Sequence, residues 1–341
     1  MIDPILLLGG TGVMGAATAG LLRAAHPDLP LLIAARDLDR AGRLASTLGN
    51  ARAVTADIDL PDLGLPASVR FSAMAVLLRD LGYNSIRVAQ ARGVPLVLIS
   101  EAAFELAPIV ALYAARPASS AILMMGHSHG GLPMLLAASR VAEYRSVRAI
   151  RVGMIFDPDD PLPPGARVDM DRIAGAGPPP LALRHGRWSW LRGHEATDHV
   201  LTSSLGDRLP AEAYGLPDIL SLARWAPGAD ITLLGAEGAT ARGPGRRAEH
   251  EVTIEIEGED LSGRPSARRW RLMDPQGNAM LGARGIAIAL GALAGLTRKP
   301  PAPGLYLPED LVKPGDAVQR LARWGLDLIE ETPADGRPWR R

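Results

Sequence analysis

The 341-residue sequence contains no cysteine. Disulfide frameworks, thiolate nucleophiles and zinc–thiolate centres are therefore excluded. Lysine is nearly missing as well. Lys299 and Lys313 are the two present, and arginine supplies the other 35 (37 − 2) basic residues. Both lysines stand beside prolines in the C-terminal part, which argues against Schiff-base or lysine acid/base chemistry. Net charge is missing too: 37 basic residues face 37 acidic ones, and the pI is near 7.1. A neutral chain offers no general electrostatic attraction for nucleic acid or an anionic membrane. The basic runs at 242–247 and 268–271 sit among acidic residues and read as solvated faces. The longest strongly apolar stretch, 285–296, falls short of the ~20 residues needed to span a bilayer. No charged segment, apolar core and cleavage site precede the first apolar run, so the expected location is cytoplasmic. What is present is a hydrophobic content of 47%, enough for a substantial core and two domains.

The apolar runs are short and regularly spaced. Residues 5–8, 31–35, 51–56, 73–78, 96–100 and 121–125 read as buried strands. Helical patterns at 15–25, 39–48, 84–92, 104–114 and 132–143 alternate with them. Gly93 suits the C-terminal cap of the third helix. Strand–helix alternation of this kind implies a doubly wound parallel sheet. After about residue 145 the pattern changes. Strands are expected over 147–156, 187–191, 230–235, 250–257 and 267–273, separated by proline-rich loops at 157–165 and 175–180. Val252, Ile254 and Ile256 alternate with polar residues, the signature of a half-exposed antiparallel strand. The expected architecture is α/β. A parallel domain over 1–144 is joined to a second, mixed α+β domain over 145–296 dominated by an antiparallel sheet. A segment over 297–341 returns to the first domain, with a last helix at 316–330.

The densest chemical signal is Gly9-Gly10-Thr11-Gly12-Val13-Met14-Gly15, directly after the first strand and at the start of the first helix. Gly10, Gly12 and Gly15 give G-x-G-x-x-G. The chain must turn tightly there, a pyrophosphate must reach the backbone without a Cβ in its path, and the helix N-terminus offers free N–H groups to the anion. The context is that of a Rossmann dinucleotide-binding unit. The end of the second strand distinguishes the cofactors. NAD-binding units place an acid there for the ribose 2′-hydroxyl. Here Arg36 takes that place, suited to a 2′-phosphate, and Asp37 follows it. The expected cofactor is NADP(H). Asp57, at the end of the third strand, is either an adenine contact or a surface turn residue.

The Gly9–Gly15 loop, Arg36, the run Ala91-Arg-Gly93-Val-Pro95 and the strand–glycine–proline–helix passage at 124–133 resemble saccharopine dehydrogenase-like oxidoreductases. So does the ending Pro303-Gly304-Leu-Tyr-Leu-Pro308-Glu309, followed by the run at 320–325. The resemblance implies a Rossmann domain, a second mixed-sheet domain often used for dimerisation, and hence a homodimer. It also implies reduction of an imine or another double bond of a small molecule. Where the family often carries Gly-Pro after the fourth strand, this chain reads Leu78-Arg79-Asp80-Leu81-Gly82-Tyr83-Asn84.

Ligands in open α/β sheets bind beyond the carboxyl ends of the strands. That places 78–84, 100–105 and 126–131 near the reacting groups. Leu78 and Arg79 are expected at the cofactor, with Arg79 also suited to a substrate carboxylate. Tyr83, Asp80, Glu101, His127 and His129 are the candidate proton donors. Tyr83 and Arg87 form Y-x-x-x-R, which resembles the Y-x-x-x-K pair of short-chain dehydrogenases, where the cation lowers a tyrosine pKa; the other reading is a plain tyrosine at a helix start. Trp188 and Trp190 are either pocket walls or sheet packing. No metal is expected: His194, Glu195 and His199 miss the H-E-x-x-H spacing, and no third ligand accompanies His127 and His129. A rival from another class is the G-x-S-x-G of Gly126-His127-Ser128-His129-Gly130, which with Asp230 and His250 would make a serine hydrolase. A cofactor-binding sensor without turnover is the third reading.

Overall fold

In the computed structural model the chain is described over residues 3–160, 162–243 and 245–331. The elements run β1 (Ile5–Leu8), α1 (Val13–Ala25), β2 (Leu31–Ala35), α2 (Leu38–Leu48), β3 (Ala51–Thr55), β4 (Ala73–Val76), α3 (Asn84–Arg92), β5 (Leu96–Leu98), α4 (Leu106–Ala115), β6 (Ala121–Met124), α5 (Leu132–Val141) and β7 (Tyr144–Phe156). They continue through α6 (Pro164–Ala176), β8 (Leu181–Arg184), β9 (Arg187–Trp190), α7 (His194–Thr197), β10 (His199–Thr202), β11 (Arg208–Ala213), α8 (Asp218–Trp225), β12 (Asp230–Glu237), β13 (His250–Asp260) and β14 (Pro265–Asp274). The last elements are α9 (Asn278–Leu293), β15 (Gly304–Tyr306), α10 (Pro308–Leu311), α11 (Pro314–Arg323) and β16 (Ile329–Glu331).

The chain divides into two units. The first takes 1–126, 163–171 and 282–312, and the second takes 127–162, 172–281 and 313–341. The first unit is built on a seven-stranded sheet in the order β15-β6-β5-β4-β1-β2-β3, with every pair parallel. Every residue of β1, β2, β4 and β6 is buried, as strands covered on both faces require. The direction of winding reverses at β1, which lies between β4 and β2. That reversal creates the crevice in which doubly wound sheets bind ligands. α3 ends at Gly93 in the left-handed conformation, as its sequence implies.

The second unit carries the sheet β10-β11-β12-β7-β13-β14-β16, with the β8–β9 hairpin attached to β12. β7 and β12 are parallel, and the remaining pairs are antiparallel. β13 departs from the half-exposed strand expected of it, because both of its faces are buried from His250 to Ile256. Its polar face is covered because its acids are paired. Glu251 meets Arg271, and Glu255 meets Arg269. Trp188 and Trp190 lie on the β8–β9 hairpin, 51% and 47% exposed, rather than packed within the sheet.

The expected boundary at 144 and the expected return of 297–341 fall differently in the contacts. α5 belongs to the second unit, where it packs against α8 and α11. β15 pairs with β6 of the first sheet, whereas β16 pairs with β14 of the second. The expected last helix at 316–330 stops at Arg323, because Gly325 turns left-handed (φ 73°) and the chain re-enters as β16. There Glu330 pairs with Arg268 and Glu331 with Arg271. Residues 332–341 of that segment lie outside the described residues. Among the described residues, no helix is long and apolar enough to cross a membrane.

Candidate active site

The turn after β1 has the form that the glycines dictate. Gly9 takes φ 80°, a conformation costly for any other residue. A Cβ on Gly15 would lie 2.4 Å from the carbonyl oxygen of Gly9, so α1 can cross the turn this closely only with glycine there. Gly12 is the N-cap of α1 and is exposed. The first bond that closes the helix is from Ala16 N to Gly12 O, at 2.8 Å. The N–H groups of Val13, Met14 and Gly15 thus stand at the open end of the helix, whose first turn has no acidic residue. Thr11 and Met14 are half-buried beside them, and Val13 is exposed. The turn also abuts the end of β4: a Cβ on Gly9 would meet Leu78 Cδ2 at 3.0 Å and Leu77 O at 3.2 Å. An exposed, donor-rich turn with no Cβ in front of it fits a pyrophosphate.

Arg36 follows β2 and is exposed. Asp37 caps α2, its Oδ1 accepting from Arg40 N at 2.9 Å. The acid next to Arg36 thus has a local structural use, and Arg36 itself is exposed. Asp57 accepts from Asp59 N at 3.1 Å, the geometry of a turn aspartate.

The loops after β4 and β5 bring together Arg79, Asp80, Tyr83, Glu101 and Glu105. Arg79 forms a two-pronged ion pair with Glu105 and donates to Ser100 O. Burial works against the charge of Arg79, and the Glu105 pair outweighs it, holding its pKa above the usual value. Arg79 is therefore fixed within the protein rather than free for a substrate carboxylate. Asp80 is buried and caps the start of α3. Its carboxylate accepts from Ser85 Oγ at 2.5 Å, Ser85 N at 2.8 Å and Asn84 N at 3.2 Å. Those bonds make it a structural cap, not a proton donor. Tyr83 adopts φ 51°, and its hydroxyl lies 3.4 Å from Glu105 O. Burial, with Glu101 adding to it, pushes its pKa up. Arg87 turns away and donates to Gly82 O, so the Y-x-x-x-R spacing does not yield an acidified tyrosine.

Glu101 is the outstanding group. It is 3% exposed, and burial raises its pKa to about 7, against the attraction of Arg79. Its Oε2 accepts from Ser100 N at 3.1 Å. Gly126, at the end of β6, backs it: a Cβ there would lie 1.7 Å from Glu101 O. Sequence reasoning placed Glu101 among the candidates by position. Its charged neighbours Arg79 and Glu105 form no motif with it, and three-dimensional proximity alone brings the three together.

The loop at 127–131 lies in the second unit. Ser128 donates from Oγ and N to the buried carboxylate of Asp218, at 2.6 and 2.8 Å, and His127 Nε2 lies 2.8 Å from Ser221 Oγ. His129, at φ 44°, lies against His250 with the rings tilted by 35° and their centroids 4.1 Å apart. Burial lowers the pKa of His127 to about 3 and of His129 to about 4, and holds that of His250 well below its ordinary value. All three are therefore neutral imidazoles, not proton carriers at neutral pH. The hydrolase constellation is not assembled. Ser128 bonds a carboxylate, Asp230 accepts from His185 N at 2.7 Å, and both ring nitrogens of His250 are buried without partners. Among the described residues no group of three or more His, Asp or Glu is placed to hold a metal ion.

No protein-family model matches the chain, and no curated protein sequence does. Solved structures do. A saccharopine dehydrogenase (L-Glu forming) from Saccharomyces cerevisiae superimposes with a TM-score of 0.70 at 14% identity, covering 97% of this chain and 100% of that one. An amine dehydrogenase from Mycobacterium smegmatis gives 0.49 at 14% identity over 91% and 96% of the two chains. A myo-inositol dehydrogenase from Corynebacterium glutamicum gives 0.48 at 14% over 98% and 100%. The first likeness shows that the chain has a saccharopine dehydrogenase-like fold, with its Rossmann sheet and second mixed sheet.

Proposed function

We propose that this protein is an NADP(H)-dependent oxidoreductase that reduces a C=N or C=O bond of a small molecule. One observation carries the reading. At the carboxyl ends of β1 and β5, the strands on either side of β4, stand an open glycine turn and a buried carboxyl group, Glu101, whose pKa is about 7. The dehydrogenase whose fold it shares supports the reaction class.

The N–H groups of Val13, Met14 and Gly15 are suited to hold a pyrophosphate, and Arg36 to pair with a 2′-phosphate. When bound, NADPH supplies a hydride to the electrophilic carbon of the substrate. This chain supplies the proton. Glu101, about half protonated at neutral pH, gives its proton to the substrate nitrogen or oxygen as the double-bond electrons move there, and is left as the carboxylate. Arg79 favours that carboxylate and so eases the transfer. With Asp80 and Arg79 held by internal partners, Tyr83 serves to position the Glu105–Arg79 pair. The same reading takes the protein as a homodimer in the cytoplasm, without nucleic-acid or membrane partners.

The test is transfer of deuterium from C4-labelled NADPH to a panel of carbonyl and imine acceptors. Turnover by the native protein should fall by ~10²-fold or more in Glu101→Gln, the usual contribution of a general acid. Turnover unchanged in that variant would remove Glu101 from the reaction. No transfer to any acceptor, with NADPH bound, would leave a binding protein without turnover.

A further inference from the structure

Arg87, whose spacing to Tyr83 serves no acid–base purpose, has another setting. It lines a cleft of about 330 Å³ in the first unit together with Arg92 and Arg116. Among the described residues none of the three guanidinium groups is in an ion pair. Asp62 is the one acid on the cleft wall, and its Oδ1 accepts from Gly64 N at 2.9 Å. Three positive groups against one negative leave a net +2.

Two of the arginines are oriented in advance. Arg92 lies 5.1 Å above the Phe71 ring and donates to Val69 O at 2.7 Å, while Arg87 is held by Gly82 O. Val88 and Ala91 of α3 supply an apolar floor between them. Like charges gathered in one cleft repel, and that cost persists unless an anion offsets it. Guanidinium groups match the oxygens of phosphate and carboxylate in two-pronged pairs. The cleft at 159–160, 246–248 and 275–280 of the second unit differs, since its Arg246 and Arg247 face Asp159 and Asp160 and balance to zero.

We propose that the Arg87–Arg92–Arg116 cleft is a binding site for a small, multiply charged oxyanion, a phosphoryl compound or a polycarboxylate. It shares no lining residue with the glycine turn or Arg36, and it stands independently of the proposed reaction. The occupant would be an effector or an accessory ligand.

The test is calorimetric titration of the whole protein with pyrophosphate and, separately, with citrate, at low salt. Binding of either is expected, and which of the two binds more tightly identifies the source. Arg116→Glu and the double variant Arg87→Ala/Arg116→Ala should each weaken it at least tenfold, a size set by the loss of a charged hydrogen bond. Arg36→Ala should leave it unchanged. Both tested arginines are exposed, so folding is retained, which circular dichroism would verify. No binding of either anion, or binding that Arg116→Glu does not alter, would overturn the proposal. Displacement of the anion by equimolar NADPH, together with weakened NADPH binding in Arg116→Glu, would also overturn it by assigning the cleft to the cofactor.

Discussion

A carboxyl group buried at a strand end weakens the fold wherever it must ionise, and Glu101 offers a way to measure this. Burial moves its pKa from 4.5 to about 7. Below pH 4.5 the carboxyl is neutral in both folded and unfolded chains and has no effect. Between pH 4.5 and about 7 the unfolded chain releases the proton while the folded chain keeps it, so stability falls as pH rises. Above about 7 the full penalty is present and constant. At ~1.4 kcal/mol per pH unit, the total is about 3 kcal/mol. Glu101→Gln keeps the shape and cannot ionise. Relative to the native protein its unfolding free energy should therefore climb by about 3 kcal/mol between pH 4.5 and 8. Urea unfolding followed by circular dichroism at several pH values reads this difference directly. A difference that stays flat would show that Glu101 titrates as an ordinary exposed acid, and the proton-donor role would fall with it. The matching kinetic expectation is a reduction rate that declines as pH rises through about 7, because the acid form is the donor.

The buried histidines should act with the opposite sign. His127, His129 and His250 are neutral when folded, whereas the unfolded chain protonates them below about pH 6.5. Stability should therefore drop as pH falls from 6.5 towards 4, by as much as ~4 kcal/mol per pH unit for three protons. His250→Phe should remove about one proton from that dependence, and an unaltered slope would contradict it. In the glycine turn, Gly15→Ala forces a Cβ to within 2.4 Å of Gly9 O and should cost ~1–3 kcal/mol as well as nucleotide binding. Gly12→Ala, whose Cβ would stand 3.3 Å from Gly9 O, should cost under ~1 kcal/mol yet weaken nucleotide binding tenfold or more. Comparing melting temperature with affinity separates the two. Ser128→Ala should destabilise by ~1–3 kcal/mol, because the Oγ donor to buried Asp218 is lost. The native Ser128 should resist fluorophosphonate labelling, and labelling would revive the hydrolase reading.

The parallel sheet was legible because its strands are buried on both faces and end in turn residues. Runs such as Leu31–Ala35 and the cap at Gly93 announce themselves locally. The glycine turn was legible for the same reason, since steric demands at Gly9 and Gly15 leave a mark in the sequence. The second unit was harder. β8, β10, β11 and the helices α6 and α8 lie in a proline-rich stretch where local signals compete. β13 read as half-exposed because Glu251 and Glu255 look like solvent-facing residues. Their pairing with Arg271 and Arg269 on the neighbouring strand, with Arg151 and Ser204 N as further partners, accounts for their burial. At the site, sequence position found Glu101 but could not rank it above Asp80. Both are acids after apolar strands. One caps a helix with three hydrogen bonds, and the other is held in a dry setting that raises its pKa.

The central claim is that the first unit holds a phosphorylated nicotinamide dinucleotide through the glycine turn and Arg36. Titration of the purified protein with NADPH and with NADH, followed by fluorescence and thermal unfolding, tests it most directly. A ligand that binds only the folded chain adds about 2.7 kcal/mol at a hundredfold excess over Kd. Clear stabilisation by NADPH, a weaker effect of NADH, and loss of that difference in Arg36→Ala are expected. Equal effects of the two nucleotides would contradict the role of Arg36, and no binding of either would contradict the account as a whole.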